Sequence, residues 1–367
     1  MKKFAFLVHV RSSYQTDLAA VAKPLGWLPE SFYQYAFRNR PFPPFLWSNI
    51  TLTPNAVEPQ GHVIMIPYSG QQMLQQQKAM LPRIEQGLQL AASLGAEIVG
   101  LGALTSPVTM GGKLLTQNPY ASITNGNAFT AVITYQKVAQ LIQECPKRYP
   151  VVALVGATGS VGSLVSQLLA LHQPNADYVL VARNERKLRG LATSMVALNG
   201  DVLPEIALSM ERVKQADIVV MLTSSADALL QADHLKPGAV VLDDTIPRNT
   251  QPNLLQQRPD VTIIDGGLVA MPHLRLSRPI GIPTQTSYAC LAETMLLALA
   301  GHEGHFSIGN PTLEQADYIR GLASRFAHLG FCPAADYSFG QPVDPQTVLP
   351  YIPSSSTIPS YFEPELI

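Results

Sequence analysis

The stretch VVALVGATGSVGSLV, Val151–Val165, decides the fold. Five apolar β-formers run into three glycines spaced by three, Gly156, Gly159 and Gly162, and an apolar helical pattern follows. A buried strand feeding a glycine turn and then a helix suits a dinucleotide phosphate. The first glycine allows the tight turn, the second lets backbone approach a pyrophosphate, and the third lets helix and strand pack closely. The helix N-terminus adds free N–H groups and the positive end of its dipole. The same pattern also serves as a plain strand-to-helix junction.

The neighbouring segments extend this reading. DYVLVARNERKLRGLA repeats strand then helix, and QADIVVMLTSS, GAVVLDD and DVTIID are three more short buried strands. Apolar strands alternating with helices, without period-2 polarity, predict an α/β fold built on a Rossmann-type doubly wound parallel sheet. This unit is expected over residues 148–283. Its second strand ends in Arg183 and Asn184 rather than in an acid, which favours a ribose 2′-phosphate and therefore NADPH. Arg186 and Lys187 add positive charge, although all of these also read as surface cations at a helix start. The expected cofactor contacts are Gly156, Thr158, Gly159, Ser160, Val161, Gly162, Arg183, Asn184, Thr223 and Ser224.

Upstream, residues 1–147 read as a separate N-terminal α/β domain suited to substrate. KFAFLVHV, GHVIMIPY and EIVGLGALTS are its strands. RPFPPFLWSN, with its prolines and aromatics, reads as a loop, and the helical region after Gly70 is expected to break at Pro82. Residues 284–335 read as C-terminal helices packing on that domain. Residues 336–367, rich in Pro and carrying Tyr337, Phe339, Tyr351, Tyr361 and Phe362, read as an extended arm whose rings dock on the body or on a second subunit, or else as a disordered tail.

The composition bounds the partners. The chain has 367 residues, 47% apolar, with 25 Lys and Arg against 26 Asp and Glu. That balance gives no nucleic-acid footprint. No apolar run is long enough for a transmembrane segment, and the N-terminal MKKFAFLVHVRSS lacks a cleavage site and reads as a strand. Three scattered cysteines make neither a disulfide framework nor a metal set, which points to a cytoplasmic setting. GHEGH, His302–His305, has the wrong spacing for a zinc helix, so no metal is expected. Peripheral membrane contact and a homo-oligomer stay open.

One cysteine stands apart. In PTQTSYACLAETMLLALAG, Thr286 or Ser287 is placed to cap a helix whose first turn holds Cys290. The helix dipole would lower its thiol pKa there, and free first-turn N–H groups would face a developing oxyanion. An inert core cysteine has the same surroundings. His9 closes the first strand as a candidate proton donor or a hydrogen-bonded core histidine. Thr105, Ser106, Asn125 and Asn127 sit at element ends, where they would orient a carbonyl or cap a helix. Glu293 shares a helix face with Cys290. Together these five make the expected substrate pocket.

The segments VHVRSS, GLGALTS, NGNAFTA, VVALVGATGSVGS, VLVARNERKL, YACLAETMLL and GHFSIGN…LASRFAHLGF, taken in order, resemble the long-chain acyl-[acyl-carrier-protein] reductases of cyanobacterial alkane biosynthesis. They cover most of residues 4 to 332. The resemblance implies that Cys290 carries an acyl group from an acyl carrier protein or coenzyme A thioester, and that the fatty acyl group leaves as the aldehyde at the expense of NADPH. It places cofactor binding on Gly156, Gly159, Gly162 and Arg183, and matches His9 to a family histidine. Phe129 stands where the family pattern has histidine, and the stretch after Gly267 diverges. Competing expectations are a related acyl-cysteine reductase of the semialdehyde dehydrogenase or glutamyl-tRNA reductase kind, or a non-catalytic NADP-binding protein. A short-chain dehydrogenase would need Tyr-x-x-x-Lys, which the chain lacks.

Overall fold

The computed structural model describes residues 1–10, 14–19, 23–39, 42–53, 56–223, 229–246 and 248–343. The first unit runs β1 (Phe4–Val10), α1 (Tyr14–Ala19), α2 (Glu30–Asn39), β2 (Phe45–Thr51), β3 (Gly61–Ser69), α3 (Gly70–Gln75), α4 (Gln77–Ser93), β4 (Ile98–Leu101), α5 (Thr105–Val108), β5 (Ser122–Thr124) and α6 (Asn127–Glu144). The second runs β6 (Val151–Val155), α7 (Ser160–His172), β7 (Asp177–Val181), α8 (Glu185–Leu198), β8 (Glu205–Ala207), β9 (Ile218–Met221), β10 (Val240–Asp243), α9 (Asn253–Gln257) and β11 (Thr262–Asp265). The chain then forms β12 (Leu268–Ala270), β13 (Arg275–Leu276), β14 (Thr286–Tyr288), α10 (Ala289–Ala300), α11 (Leu313–Arg325) and β15 (Cys332–Pro333).

The second sheet has the order β11-β10-β9-β6-β7-β8, all parallel. That is the doubly wound dinucleotide order, and its direction reverses between β6 and β9, at the glycine turn. The first sheet runs β13-β2-β3-β1-β4-β5 and is parallel except where β2 joins β3 and β13 joins β2. One buried cluster links the two. It includes Phe6, Trp47 and Met65 of the first sheet, Leu154 and Val220 of the second, and Leu291 and Met295 of α10.

Several local expectations change. The proline-rich stretch forms β2, because Phe45–Thr51 after Pro44 carries residues that bury against β3. The helical break lies at Gln76 instead of Pro82, which sits inside α4. The chain leaves the second sheet after Asp265, and Arg275–Leu276 pairs with the first, earlier than residue 283. Residues 284–335 are not wholly helical, since β14 and β15 flank β12 in a small antiparallel sheet.

The described part of the arm, 336–343, is a tight hairpin of Tyr337–Ser338 and Gln341–Pro342. The Phe339 and Gly340 amides donate to the Asp265 carboxylate at 2.9 and 2.7 Å. Arg248 also donates to Asp265, at 2.5 Å, and lies 5.1 Å over the Phe339 ring. Tyr351, Tyr361 and Phe362 lie outside the described residues.

Ending the chain at Ala335 removes two bonds to a charged acceptor and a cation–π contact. The expected loss is about 2–3 kcal/mol, a drop in Tm of about 3–4 °C by calorimetry. An unchanged Tm would mean that the hairpin adds nothing to stability.

Candidate active site

The glycine turn behaves as its spacing requires. Gly156 takes φ +90°, and a Cβ there would meet the Leu222 carbonyl carbon at 2.8 Å. A Cβ on Gly162 would overlap the Gly156 carbonyl, so α7 can lie this close to β6 only with glycine. Gly162 therefore acts as a packing residue and is not among the residues that wall the cavity. Gly159 is the N-cap of α7 and has no side chain, so its first-turn N–H groups stay open for a phosphate.

A cavity of about 1230 Å³ lies along this turn, between the two units. Gly156, Thr158, Gly159, Ser160, Val161, Arg183, Asn184 and Thr223 line it, and Ser224 lies outside the described residues. Arg183 is exposed beside Lys187, while the Asn184 side chain accepts from the Lys187 amide at 3.0 Å and caps α8. Ser106, Asn125, Asn127 and Cys290 line the opposite side. Open backbone donors at a helix start, with a cation where the second strand ends, fit a dinucleotide that carries an extra phosphate. Among the described residues no group of three or more His, Cys, Asp or Glu is placed to hold a metal, and no helix is long and apolar enough to cross a membrane.

Helix starts gather around this cavity, and three of them belong to α6, α7 and α10. Asn127 begins α6, Ser160 begins α7 and Ala289 begins α10. Asn127 Nδ2 donates to Ser160 Oγ at 2.9 Å, and Ser160 donates to the Gly309 carbonyl at 2.9 Å. Asn125 is almost fully buried. It donates to Gly309, accepts from Ser307 at 2.6 Å, and accepts from the Asn127 amide at 3.0 Å, so it caps α6 and fixes the wall. Converging helix starts favour an anion in the space between them.

Two expected pocket residues are buried behind the wall. Thr105 is fully buried and donates to the Gly102 carbonyl at 2.7 Å, closing its own turn. Glu293 is fully buried. It accepts from the Phe129 amide at 2.7 Å and from Thr124 Oγ1, and so takes up donors at the start of α6. Burial raises its carboxyl to about 7 against those hydrogen bonds.

Cys290 is the second residue of α10, not its third or fourth. Tyr288 is the N-cap, while Thr286 and Ser287 belong to β14. Gly126, at φ +78°, lies so close that a Cβ there would overlap Cys290. Burial pushes the thiol up to about 12. The Leu291 amide opposes this, and the carboxylates of Asp244 and Glu293 add to it. The expected lowering is thus reversed, because desolvation and two acids outweigh the helix start. Cys145 is half-buried and Cys332 exposed, and neither lines the cavity.

His9 lies on a second, smaller cavity with Cys290, Tyr288 and Ala103. Its Nδ1 donates to the Val10 carbonyl at 2.7 Å, which fixes the proton on that nitrogen.

Sequence reasoning missed Asp244. It follows β10 at the carboxyl edge of the sheet, where doubly wound folds bind ligands. Its Oδ2 accepts from Thr134, and its Oδ1 lies over Gly267, whose carbonyl accepts from the Ala289 amide at 2.8 Å. The acid thus sits against the first turn of α10. Burial raises its carboxyl to about 7. The available signal was two adjacent acids ending an apolar strand in VVLDD.

No family model matches the chain. It is similar to the aminotransferase PigE of Serratia sp. (strain ATCC 39006), 28% identical over 95% of this chain and 41% of that protein. The chain therefore spans less than half the length of that relative. It is also similar to the long-chain acyl-[acyl-carrier-protein] reductase of Synechococcus elongatus, 28% identical over 66% of this chain and 72% of that one. Among solved structures, shikimate dehydrogenase in complex with NADP+ covers 88% of this chain and 96% of its own at 13% identity and a TM-score of 0.38. AibC covers 54% of this chain and 55% of its own at 20% identity and a TM-score of 0.30.

With Cys145 and Cys332 changed to serine, iodoacetamide should label Cys290 slowly at neutral pH and faster as pH rises. Asp244→Asn should change the labelling rate above pH 7, where the acid is charged, and change nothing below pH 6, where it is already neutral. Mass spectrometry reads both rates. Fast labelling at pH 6, or no effect of Asp244→Asn at any pH, would contradict these assignments.

Proposed function

We propose that the chain is an NADPH-dependent reductase that takes an acyl thioester, carried by an acyl carrier protein or coenzyme A, to the aldehyde. The observation behind this reading is that Cys290 and the glycine turn line one cavity. A thiol facing a dinucleotide site suits transfer of an acyl group to sulfur, followed by its reduction. The similarity to the Synechococcus reductase supports the same substrate class.

Cys290 Sγ attacks the thioester carbonyl carbon while Asp244 takes the thiol proton. The carbon–sulfur bond to the carrier breaks, and the carrier thiol leaves with that proton. The positive end of α10 favours the negative charge on oxygen in this step. The turn from Gly156 and the Arg183 guanidinium would hold NADPH and its 2′-phosphate, and the bound cofactor would supply the hydride that reduces the Cys290 thioester. The positive end of α10 favours the resulting oxyanion, and His9, whose Nδ1 proton is committed to the Val10 carbonyl, walls the pocket without supplying a proton. The carbon–Sγ bond then breaks, releasing aldehyde and regenerating the thiol, which recovers its proton from water.

The test is NADPH oxidation with acyl-coenzyme A and acyl carrier protein thioesters, with aldehyde trapped and quantified. Oxidation and aldehyde should match one to one, and Cys290→Ser should abolish both. Activity surviving in Cys290→Ser would overturn the mechanism. The rate should rise with pH through about 7 as Asp244 ionises, and Asp244→Asn should flatten that rise.

Cofactor choice is tested separately by binding. Arg183→Ala should cost NADPH about 1.5–3 kcal/mol and leave NADH nearly unchanged, read by titration calorimetry. Equal affinities in the unsubstituted chain would remove the 2′-phosphate assignment.

A further inference from the structure

We infer that the acyl group this chain accepts is short, of about four or five carbons, and that Trp47 sets the limit. The inference rests on the thioester-reductase reading above. It comes from the smaller cavity behind Cys290, which meets the main one at Ala103, Ile246, Tyr288 and Cys290. An acyl group on Sγ has its carbonyl at that junction, and the small cavity is the apolar space next to it. Phe6, Val8, Trp47, Met65 and Ile280 wall it.

The space is small. It measures about 40 Å³, and at roughly 10–15 Å³ for each water-sized group it takes three or four groups beyond the carbonyl. A fatty chain would need several times that length. The main cavity is walled by apolar residues interrupted by Asp243, Asp244, Asp265 and several asparagines, whereas the described wall of the small one is apolar apart from His9, Tyr288 and Cys290.

The end wall is held in place. Trp47 is 3% exposed, and its Nε1 donates to the Pro279 carbonyl at 3.0 Å. Arg278 Nη1 donates to the Trp47 carbonyl at 3.1 Å, and the Arg278 amide donates to Ser48 Oγ at 3.0 Å. The Phe45 ring packs on the indole at 6.4 Å between centroids. The segment that carries Ile280 therefore clamps the ring that closes the cavity. Lengthening the lane requires removing Trp47 or loosening the clamp.

The test measures the rate at which Cys290 gains an acyl adduct, by intact mass without NADPH. Butyryl, hexanoyl, octanoyl, dodecanoyl and palmitoyl groups are supplied on coenzyme A and on acyl carrier protein. Butyryl should react fastest, and palmitoyl at least about tenfold slower. Trp47→Ala should move the optimum to longer chains, and Ile280→Ala should do the same should the first variant fold poorly. Val8→Phe should slow butyryl by about fourfold for each methylene it excludes. A rate that climbs steadily to palmitoyl, or an optimum unmoved in both alanine variants, would overturn the inference while leaving the reductase reading intact. No adduct at any length on either carrier would overturn that reading and this inference with it.

Discussion

A single buried carboxyl sets the geometry on which the site depends. Helix α6 starts at Gly126, which has no side chain to cap it, and Glu293 from α10 supplies the missing acceptor to the Phe129 amide. Its other oxygen accepts from Thr124 at the end of β5. The bond joins two helix starts across a long sequence separation and fixes the rotation of α10. Three residues earlier on that helix, Cys290 then falls against Gly126, in contact so close that a methyl group there has no room. Burial penalises the Glu293 charge, and the first turn of α6 partly compensates it.

The same economy of charge runs through the cavity. The helix starts around it give it a positive bias, suited to phosphate on one side and to a developing oxyanion on the other. Burial, with Asp244 and Glu293, opposes that bias around the thiol and pushes it toward its protonated form. In the proposed reaction the resting cysteine is therefore not the stored nucleophile, and becomes one when Asp244, its carboxyl raised by burial to about 7, accepts the proton. A neutral thiol is also less open to adventitious oxidation between turnovers.

Much of the second unit was legible because its signals are local. Gly156, Gly159 and Gly162, with the strands VVALV and YVLVA, specify a turn and its neighbours within about thirty residues. That the sheet is parallel followed from apolar runs without alternation. What was hidden depends on residues far apart in the chain. Phe45–Thr51 looked like a loop after Pro43 and Pro44, and becomes a strand because β3 and β13 flank it. Thr105 and Glu293 looked like pocket groups, and only packing shows that their polar atoms are spent on Gly102, Thr124 and Phe129. The direction of the Cys290 shift was misread for the same reason. The helix start is visible in the sequence, whereas the burial and the Asp244 carboxylate come from the fold.

The central claim is that the acylated thiol and the dinucleotide share one cavity, so that one consumes the other. A chase tests it directly. The acyl adduct on Cys290 is formed first from a thioester without NADPH, the excess is removed, and NADPH is added while intact mass and trapped aldehyde are followed. The account predicts that the adduct disappears within turnover time and yields one aldehyde for each adduct lost. An adduct that forms on Cys290 but persists after NADPH is added would contradict it.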